Sequence, residues 1–271
     1  MNTPQVRYFH NSDFRVISGL FPVDWKFDFG KFISLHLEQS YFRAYTITLD
    51  SQPVGFGNLM IFGTTAWIGN IVIGEEFRER GLGTILTGGL VKDGEKLGVN
   101  TFTLIATKLG EPVYTKLGFR ELLRYEFFRP SDSTGTLPFE YKIEDAASRD
   151  YDDICQFDTG ITGESRDKLL RQFMPGTKLI RDKSGNLQAF YMQNLGNGLI
   201  LSKDTDAGLE LLKFQVNERK NVVINEKNKL AGKFLAGQGY EKYLEAPRMI
   251  LGKGFDWKPE CIFSRGTGYS G

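Results

Sequence analysis

Cysteine and histidine are scarce: Cys155, Cys261, His10 and His36 are all there is of either in 271 residues. Two thiols so far apart build no disulfide framework and suit a reducing compartment, so a cytoplasmic protein is expected. Neither histidine stands at metal-ligand spacing, and no metal is expected. Excess charge is missing too, since 34 basic residues face 33 acidic ones for a net charge of +1. A nucleic-acid partner would call for a basic excess on one face, so none is expected. No apolar run approaches the ~20 residues of a membrane span, and Met1-Asn2-Thr3-Pro4 opens no signal peptide. The expectation is a soluble chain with no membrane association.

What is present is material for a core. Residues of the apolar classes make up 41% of the chain, with 22 phenylalanines, and the length exceeds the ~100–150 residues of a common domain, so two domains are expected. The organising stretch runs from Trp67 to Leu86. Trp67 to Ile73 is rich in β-branched residues and reads as a strand. A polar loop, Gly74 to Arg80, leads through Gly81-Leu82-Gly83-Thr84 into a helix whose apolar face is Leu82, Ile85, Leu86 and Leu90. The first N–H groups of a helix lack partners and carry the positive dipole end, and glycines let a phosphate approach the backbone. Gly81 and Gly83 are equally compatible with a surface turn that needs positive φ. The dinucleotide fingerprint GxGxxG is not met, nor is the Walker loop, because no Gly-Lys-Ser/Thr follows.

Arg78-Glu79-Arg80-Gly81-Leu82-Gly83 resembles motif A of the GNAT superfamily of acyl-CoA-dependent N-acetyltransferases, Arg/Gln-x-x-Gly-x-Gly/Ala after a strand. Further on, after a strand candidate at Thr101 to Ala106, Tyr114…Gly118-Phe119 resembles the family's Tyr-x-x-x-Gly-Phe ending. The resemblance implies an α/β (α+β) chain. It also implies acetyl-CoA lying in a V between the fourth and fifth strands. Ile71, Val72 and Ile73 would offer backbone groups to the pantetheine arm, and the N–H groups of Arg78, Glu79, Arg80, Gly81, Gly83 and Thr84 would hold the pyrophosphate. An N–H near Ile71 would polarise the thioester carbonyl. Tyr114 would protonate the leaving sulfur; the other reading is a helix tyrosine packed inward. Many GNAT enzymes place a glutamate on strand four as base, but this strand carries Asn70 and no carboxylate before Glu75 and Glu76. Thr107 stands where the family often has asparagine. Arg78 is read either as a phosphate ligand or as a solvated surface charge.

Along the chain, Gln5 to Phe9 reads as a strand and Asn11-Ser12-Asp13 as a helix start capped by Ser12 or Asn11. An aromatic stretch, Pro22 to Phe29, precedes a second helix; in the family this region overhangs the acceptor, and aromatic packing explains it equally well. Asp50-Ser51-Gln52-Pro53 turns a hairpin between Tyr45 to Leu49 and Val54 to Phe62. Pro130 to Pro138 is polar, bounded by prolines, and reads as a linker. After it the element order repeats: a strand at Phe139 to Ile143, helices at Ala146 to Phe157 and Ser165 to Phe173, a hairpin about Asp182-Lys183-Ser184-Gly185, then strand, helix, strand and helix to Leu235. Two tandem GNAT-like domains are expected, each a mixed, mostly antiparallel sheet flanked by helices, with residues 1–130 catalytic, 131–138 a linker and 139–271 a GNAT-like domain without a cofactor loop. In the second copy Asp204 and Asp206 stand where a pyrophosphate would sit, and they suit helix capping better. The expected function is acetyl transfer from acetyl-CoA to a primary amine of a small metabolite by direct attack in a ternary complex. A non-catalytic acyl-CoA-binding module with a partner-docking C-terminal lobe remains the alternative.

Overall fold

The computed structural model describes residues 3–132 and 135–271; Ser133 and Thr134 of the expected linker lie outside the described residues. The chain forms two units. Unit 1 takes the chain through Arg120 together with Met249–Gly254 and Ser270, and unit 2 takes Glu121–Arg248 with Phe255–Tyr269 and Gly271. This division differs from a single cut between Pro130 and Pro138, because a segment far along the chain returns to unit 1. There Lys253 N donates to Asn100 O, and Thr101 Oγ1 donates to Lys253 O.

In unit 1, β1 (Pro4–Tyr8), β2 (Phe42–Leu49), β3 (Gln52–Phe62) and β4 (Thr65–Ile73) form an antiparallel run in that order. The β2–β3 connection is a two-residue turn, with Leu49 opposite Gln52 and both Asp50 and Ser51 left-handed at φ 47° and 68°. That conformation matches the twist of the paired strands. Two short helices, α1 (Phe14–Ser18) and α2 (Phe29–His36), lie between β1 and β2. Asp13, and not Asn11 or Ser12, fastens their entry: its carboxylate accepts from His10 N at 3.1 Å, Thr46 Oγ1 at 3.0 Å and Arg7 Nη1 at 2.6 Å. Three donors converging on one buried carboxylate outweigh a single capping hydroxyl.

Helix α3 (Leu82–Lys96) crosses over from β4 to β5 (Thr101–Ile105), which runs parallel to β4. Its inward face is Leu82, Leu86 and Leu90, a strict four-residue step, and these join Tyr45, Ile47, Leu59, Ile68, Phe102 and Leu104 in the core. Ile85, expected on that face, is exposed instead. Helix α4 (Glu111–Lys116) follows β5.

In unit 2, β6 (Arg120–Pro130) is followed by β7, which is only Glu144–Asp145. The strand expected at 139–143 does not form. The N–H groups of Glu140 and Tyr141 go to the Glu210 carboxylate, which ties this segment to a helix rather than to a ladder. Helix α5 (Tyr151–Thr162) runs past the expected break at Asp158, because Asp158 is wholly buried and paired with Arg166 at the start of α6 (Asp167–Leu170). Strands β8 (Lys178–Arg181), β9 (Leu187–Met192) and β10 (Leu199–Ser202) continue antiparallel from β7. Then come α7 (Thr205–Asn217), β11 (Val222–Asn225), α8 (Lys229–Gly237), β12 (Tyr240–Gly252) and β13 (Ile262–Ser264). Strand β11 pairs with β6, and β13 pairs with β10 through Ile200–Ser264 and Leu201–Ile262. The next residue, Arg265, donates its N–H to Val223 O of β11 at 2.7 Å. The C-terminal strand therefore fills the gap between β10 and β11. Cys155 and Cys261 are both free thiols, and no helix of the described residues is long and apolar enough to cross a membrane.

Candidate active site

The site grows out of a fault in β4. Asn58 of β3 lies opposite Gly69, but Phe56 lies opposite Val72, so β4 carries one extra residue at Asn70–Ile71. Asn70 takes the left-handed φ of 54° that such a bulge requires, a conformation asparagine tolerates better than most residues. Its Nδ2 donates to Asn58 Oδ1 at 2.9 Å. Two glycines on β3 make room. A Cβ on Gly55 would lie 2.5 Å from Ile73 Cδ1, and one on Gly57 2.5 Å from Ile71 Cδ1. The side chains of Ile71 and Ile73 are thus spent on packing, Val72 is buried, and backbone is what these residues have left to offer a ligand.

The bulge bends β4 away from its parallel neighbour. Pairing with β5 covers Thr65–Thr101, Ala66–Phe102 and Trp67–Thr103 and then stops, while β4 runs on to Ile73. Beyond Trp67 the two strands run on unpaired, at the carboxyl ends of parallel strands, where α/β sheets take their ligands. Helix α3 starts beyond this end of β4, and α4 beyond the same end of β5. Gly81 begins α3 at φ 76°, ψ 2°, with no side chain capping the turn, and a Cβ there would meet nothing within 4 Å. The first bond of the helix is Ile85 N to Gly81 O at 3.1 Å, so the N–H groups of Leu82, Gly83 and Thr84 precede it. Glu79 is also left-handed, at φ 62°. The loop is braced by its arginines: Arg78 Nε donates to Ile73 O at 3.2 Å, and Arg80 Nη2 to Glu76 O at 3.0 Å while lying over the Phe77 ring. Arg78 is thus tied to the end of β4.

Helix α4 touches the same turn, since a Cβ on Gly83 would sit 3.8 Å from Val113 Cγ1. Tyr114, one residue on, is buried, with its ring 6.0 Å from that of Phe119. Burial pushes its pKa above the ordinary phenol value. The phenol is therefore protonated at neutral pH, and its hydroxyl makes no hydrogen bond among the described residues. Thr107 caps the turn before α4, accepting from Gly110 N at 3.1 Å. Glu75 and Glu76 are exposed on the loop.

On the other face of the sheet, Phe9, Phe21 and Phe29 pack on Phe56, with Phe21–Phe27 centroids 4.7 Å apart. Trp25 and Val23 stay exposed. His36 is structural: its Nδ1 lies 3.0 Å from Tyr41 Oη, and burial holds its pKa down to about 4. The parts invisible to sequence reading are Asn58 and the Gly55/Gly57 pair. The alternating glycines of Val54-Gly55-Phe56-Gly57-Asn58 were the available signal for a strand that a neighbour must approach closely.

The profile of the Acetyltransferase (GNAT) family matches residues 5–119, which hold the bulged strand, the unpaired ends of β4 and β5, the uncapped helix start and Tyr114. This stretch, less than half of the chain, is thus similar to the GNAT family. A relative in Bacillus subtilis (strain 168), the uncharacterized N-acetyltransferase YitH, is 24% identical over 194 residues, a stretch that covers 66% of this chain and 66% of that one. The match thus reaches just under two thirds of the relative's length. Among solved structures, a candidate acetyltransferase from Pyrococcus horikoshii has the same fold with TM-score 0.82 at 19% identity, covering 99% of this chain and 96% of that one. A tandem GNAT protein from the clavulanic acid biosynthesis pathway aligns with TM-score 0.51 at 14% identity over 79% of this chain and 84% of that one. GNAT proteins use acetyl-CoA. The unpaired ends of β4 and β5, the three unengaged N–H groups and the clear space over Gly81 fit such a ligand, and among the described residues no cluster fits a metal.

Proposed function

We propose that this chain transfers acetyl from acetyl-CoA to the primary amine of a small metabolite, with the domain of residues 1–130 carrying the reaction and residues 139–271 forming a GNAT-like lobe without a cofactor of its own. The observation that carries the reading is the parting of β4 from β5 beyond Trp67, with the uncapped turn at Gly81 and the Tyr114 helix at the mouth of the opening. When bound, acetyl-CoA supplies an activated acyl group as a thioester. The N–H groups from Glu79 through Thr84 hold its pyrophosphate by the helix-terminus effect; that of Arg78, expected among them, already donates to Glu75 O at 3.2 Å. Backbone groups of Ile71, Val72 and Ile73 align its arm, and an N–H near Ile71 takes the negative charge that grows on the carbonyl oxygen. The Tyr114 hydroxyl donates at the leaving sulfur. With its pKa raised above the ordinary phenol value of ~10, and a thiol reference near ~8.5, that donation is a hydrogen bond to the developing charge more than a completed transfer. With no carboxylate on β4, the amine's proton leaves by way of solvent. The free thiols of Cys155 and Cys261 suit a reducing cytoplasm.

The test is release of free CoA thiol from acetyl-CoA across a panel of small primary amines. Amine-dependent release with an acetylated product is the expected result. Binding of acetyl-CoA with no amine-dependent release would replace this reading by that of an acyl-CoA-binding module.

A further inference from the structure

One buried arginine of unit 2 has no ion-pair partner among the described residues. Arg166, Arg248 and Arg265 are all buried; of the buried carboxylates, Asp158 pairs with Arg166, while Asp150 and Glu210 are held by Arg181 and Lys213. Arg166 is answered: Asp158 accepts from its Nε at 3.1 Å and from its Nη2 at 2.5 Å, and the charge of Glu164 acts on it as well. Arg265 is not answered by any ion pair among the described residues. Its side chain donates from Nη1 to Thr267 O at 2.6 Å, and its Nε is sealed from solvent with no partner. Its guanidinium carbon lies 4.9 Å from the Tyr125 ring centre and 5.6 Å from that of Phe127. The guanidinium of Arg248 stacks 4.3 Å from the Trp257 ring and 5.4 Å from that of Phe255, and its charge acts on Arg265.

Burial first, and then Arg248, bring the Arg265 pKa down to about 10, so it remains charged at neutral pH. Stacking on aromatic rings is a weak return for removing a full charge from water with no counter-ion. A negative charge supplied from outside the chain would offset that cost. Arg265 itself carries one positive charge without an ion-pair partner among the described residues, the complement of a monoanion. A planar guanidinium with a vacant N–H edge matches a carboxylate in particular. The place is suggestive too. Arg265 directly follows β13, the strand that fills the gap between β10 and β11.

We propose that Arg265, with Arg248 beside it and the Tyr125 and Phe127 rings as its walls, anchors a binding site for a small carboxylate in unit 2. The site does not depend on the acetyl-transfer reading, and its test reads binding alone. The full chain is melted in sodium benzoate or sodium acetate and in sodium chloride at equal ionic strength, as wild type and as Arg265→Met. Expected for wild type is a midpoint higher by about 2–4 °C in saturating carboxylate than in chloride. Titration calorimetry with benzoate should show affinity weaker by roughly 10- to 100-fold in folded Arg265→Met. In chloride alone, Arg265→Met should melt no lower than wild type, because it removes an unpaired buried charge. If Arg265→Met fails to fold, Arg265→Lys replaces it; a lysine keeps the charge but loses the planar edge, and it should lose most of the carboxylate increment. Equal wild-type midpoints in carboxylate and chloride, or an undiminished increment in the folded variant, would overturn the proposal.

Discussion

The helix after β4 in unit 1 and the helix after β10 in unit 2 begin in opposite ways. In unit 1 the turn at Gly81 is left-handed and carries no capping side chain, and β4 and β5 are unpaired past Trp67. In unit 2 Asp204 caps α7, its Oδ1 accepting from Ala207 N at 2.8 Å, and β13 lies where β10 and β11 would otherwise part. The difference teaches that the shared architecture does not itself confer an anion site. What matters is whether the first-turn N–H groups are already satisfied and whether the space between the two strands is already filled. Unit 2 supplies both from its own chain, one with a carboxylate that would also repel a phosphate.

The sharpest way to break this contrast is at Tyr114. Tyr114→Phe should lower kcat by on the order of 10²–10⁴ with little change in KM for acetyl-CoA. Because the hydroxyl makes no hydrogen bond among the described residues, the melting temperature should stay close to wild type. Near-normal kcat would take Tyr114 out of the chemistry and leave unit 1 with a binding cleft alone.

Next in size is Gly83→Glu, which sets a negative charge at the helix start of unit 1, as Asp204 does in unit 2. Acetyl-CoA affinity should fall by roughly 100-fold or more while the fold persists, since the space beside Val113 admits a Cβ. Calorimetry on wild type should also give one acetyl-CoA per chain. Unchanged affinity, or two equivalent sites, would mean that the two helix starts do not differ as described.

The units should differ in acid as well, because both histidines of the chain belong to unit 1. His36 has its folded-state pKa depressed to about 4, so below its unfolded value the unfolded chain binds the extra proton. Its contribution is fully present above about pH 6.5, falls as the pH drops, and levels off below about 4. By pH 5 the loss is on the order of 2 kcal/mol. Denaturant unfolding at pH 7 and pH 5 should show a shallower drop for His36→Gln than for wild type; equal drops would assign the acid sensitivity elsewhere.

The smallest effect concerns the cap of unit 2. Asp204→Ala should cost about 1 kcal/mol of stability and create no acetyl-CoA binding, because β13 still occupies the gap. Appearance of a second site would show that the aspartate alone, and not the strand, keeps unit 2 from binding.

Local chemistry was legible in the residues themselves. The strand–loop–helix from Trp67 to Leu90, the Asp50-Ser51 turn and the capping by Asp204 each rest on interactions within a few positions of the chain, and those are what spacing and residue type encode. The failures share a cause. The length of α5 depended on Asp158 meeting Arg166, and the missing strand at 139–143 depended on Glu210, some 70 positions away by hydrogen bond. The inward face of α3 omitted Ile85 because a regular four-residue step already covered the sheet.

By itself the sequence determined that its first half resembles a GNAT domain, with a glycine turn after a β-branched strand, since these are properties of short segments. Tertiary structure alone decided that Met249–Gly254 joins unit 1, that β13 fills the gap between β10 and β11, and that Arg265 is buried without a counter-ion. Each of these is a pairing or a burial between segments far apart in the chain. Its free energy depends on which surfaces meet, and no spacing along the chain records that.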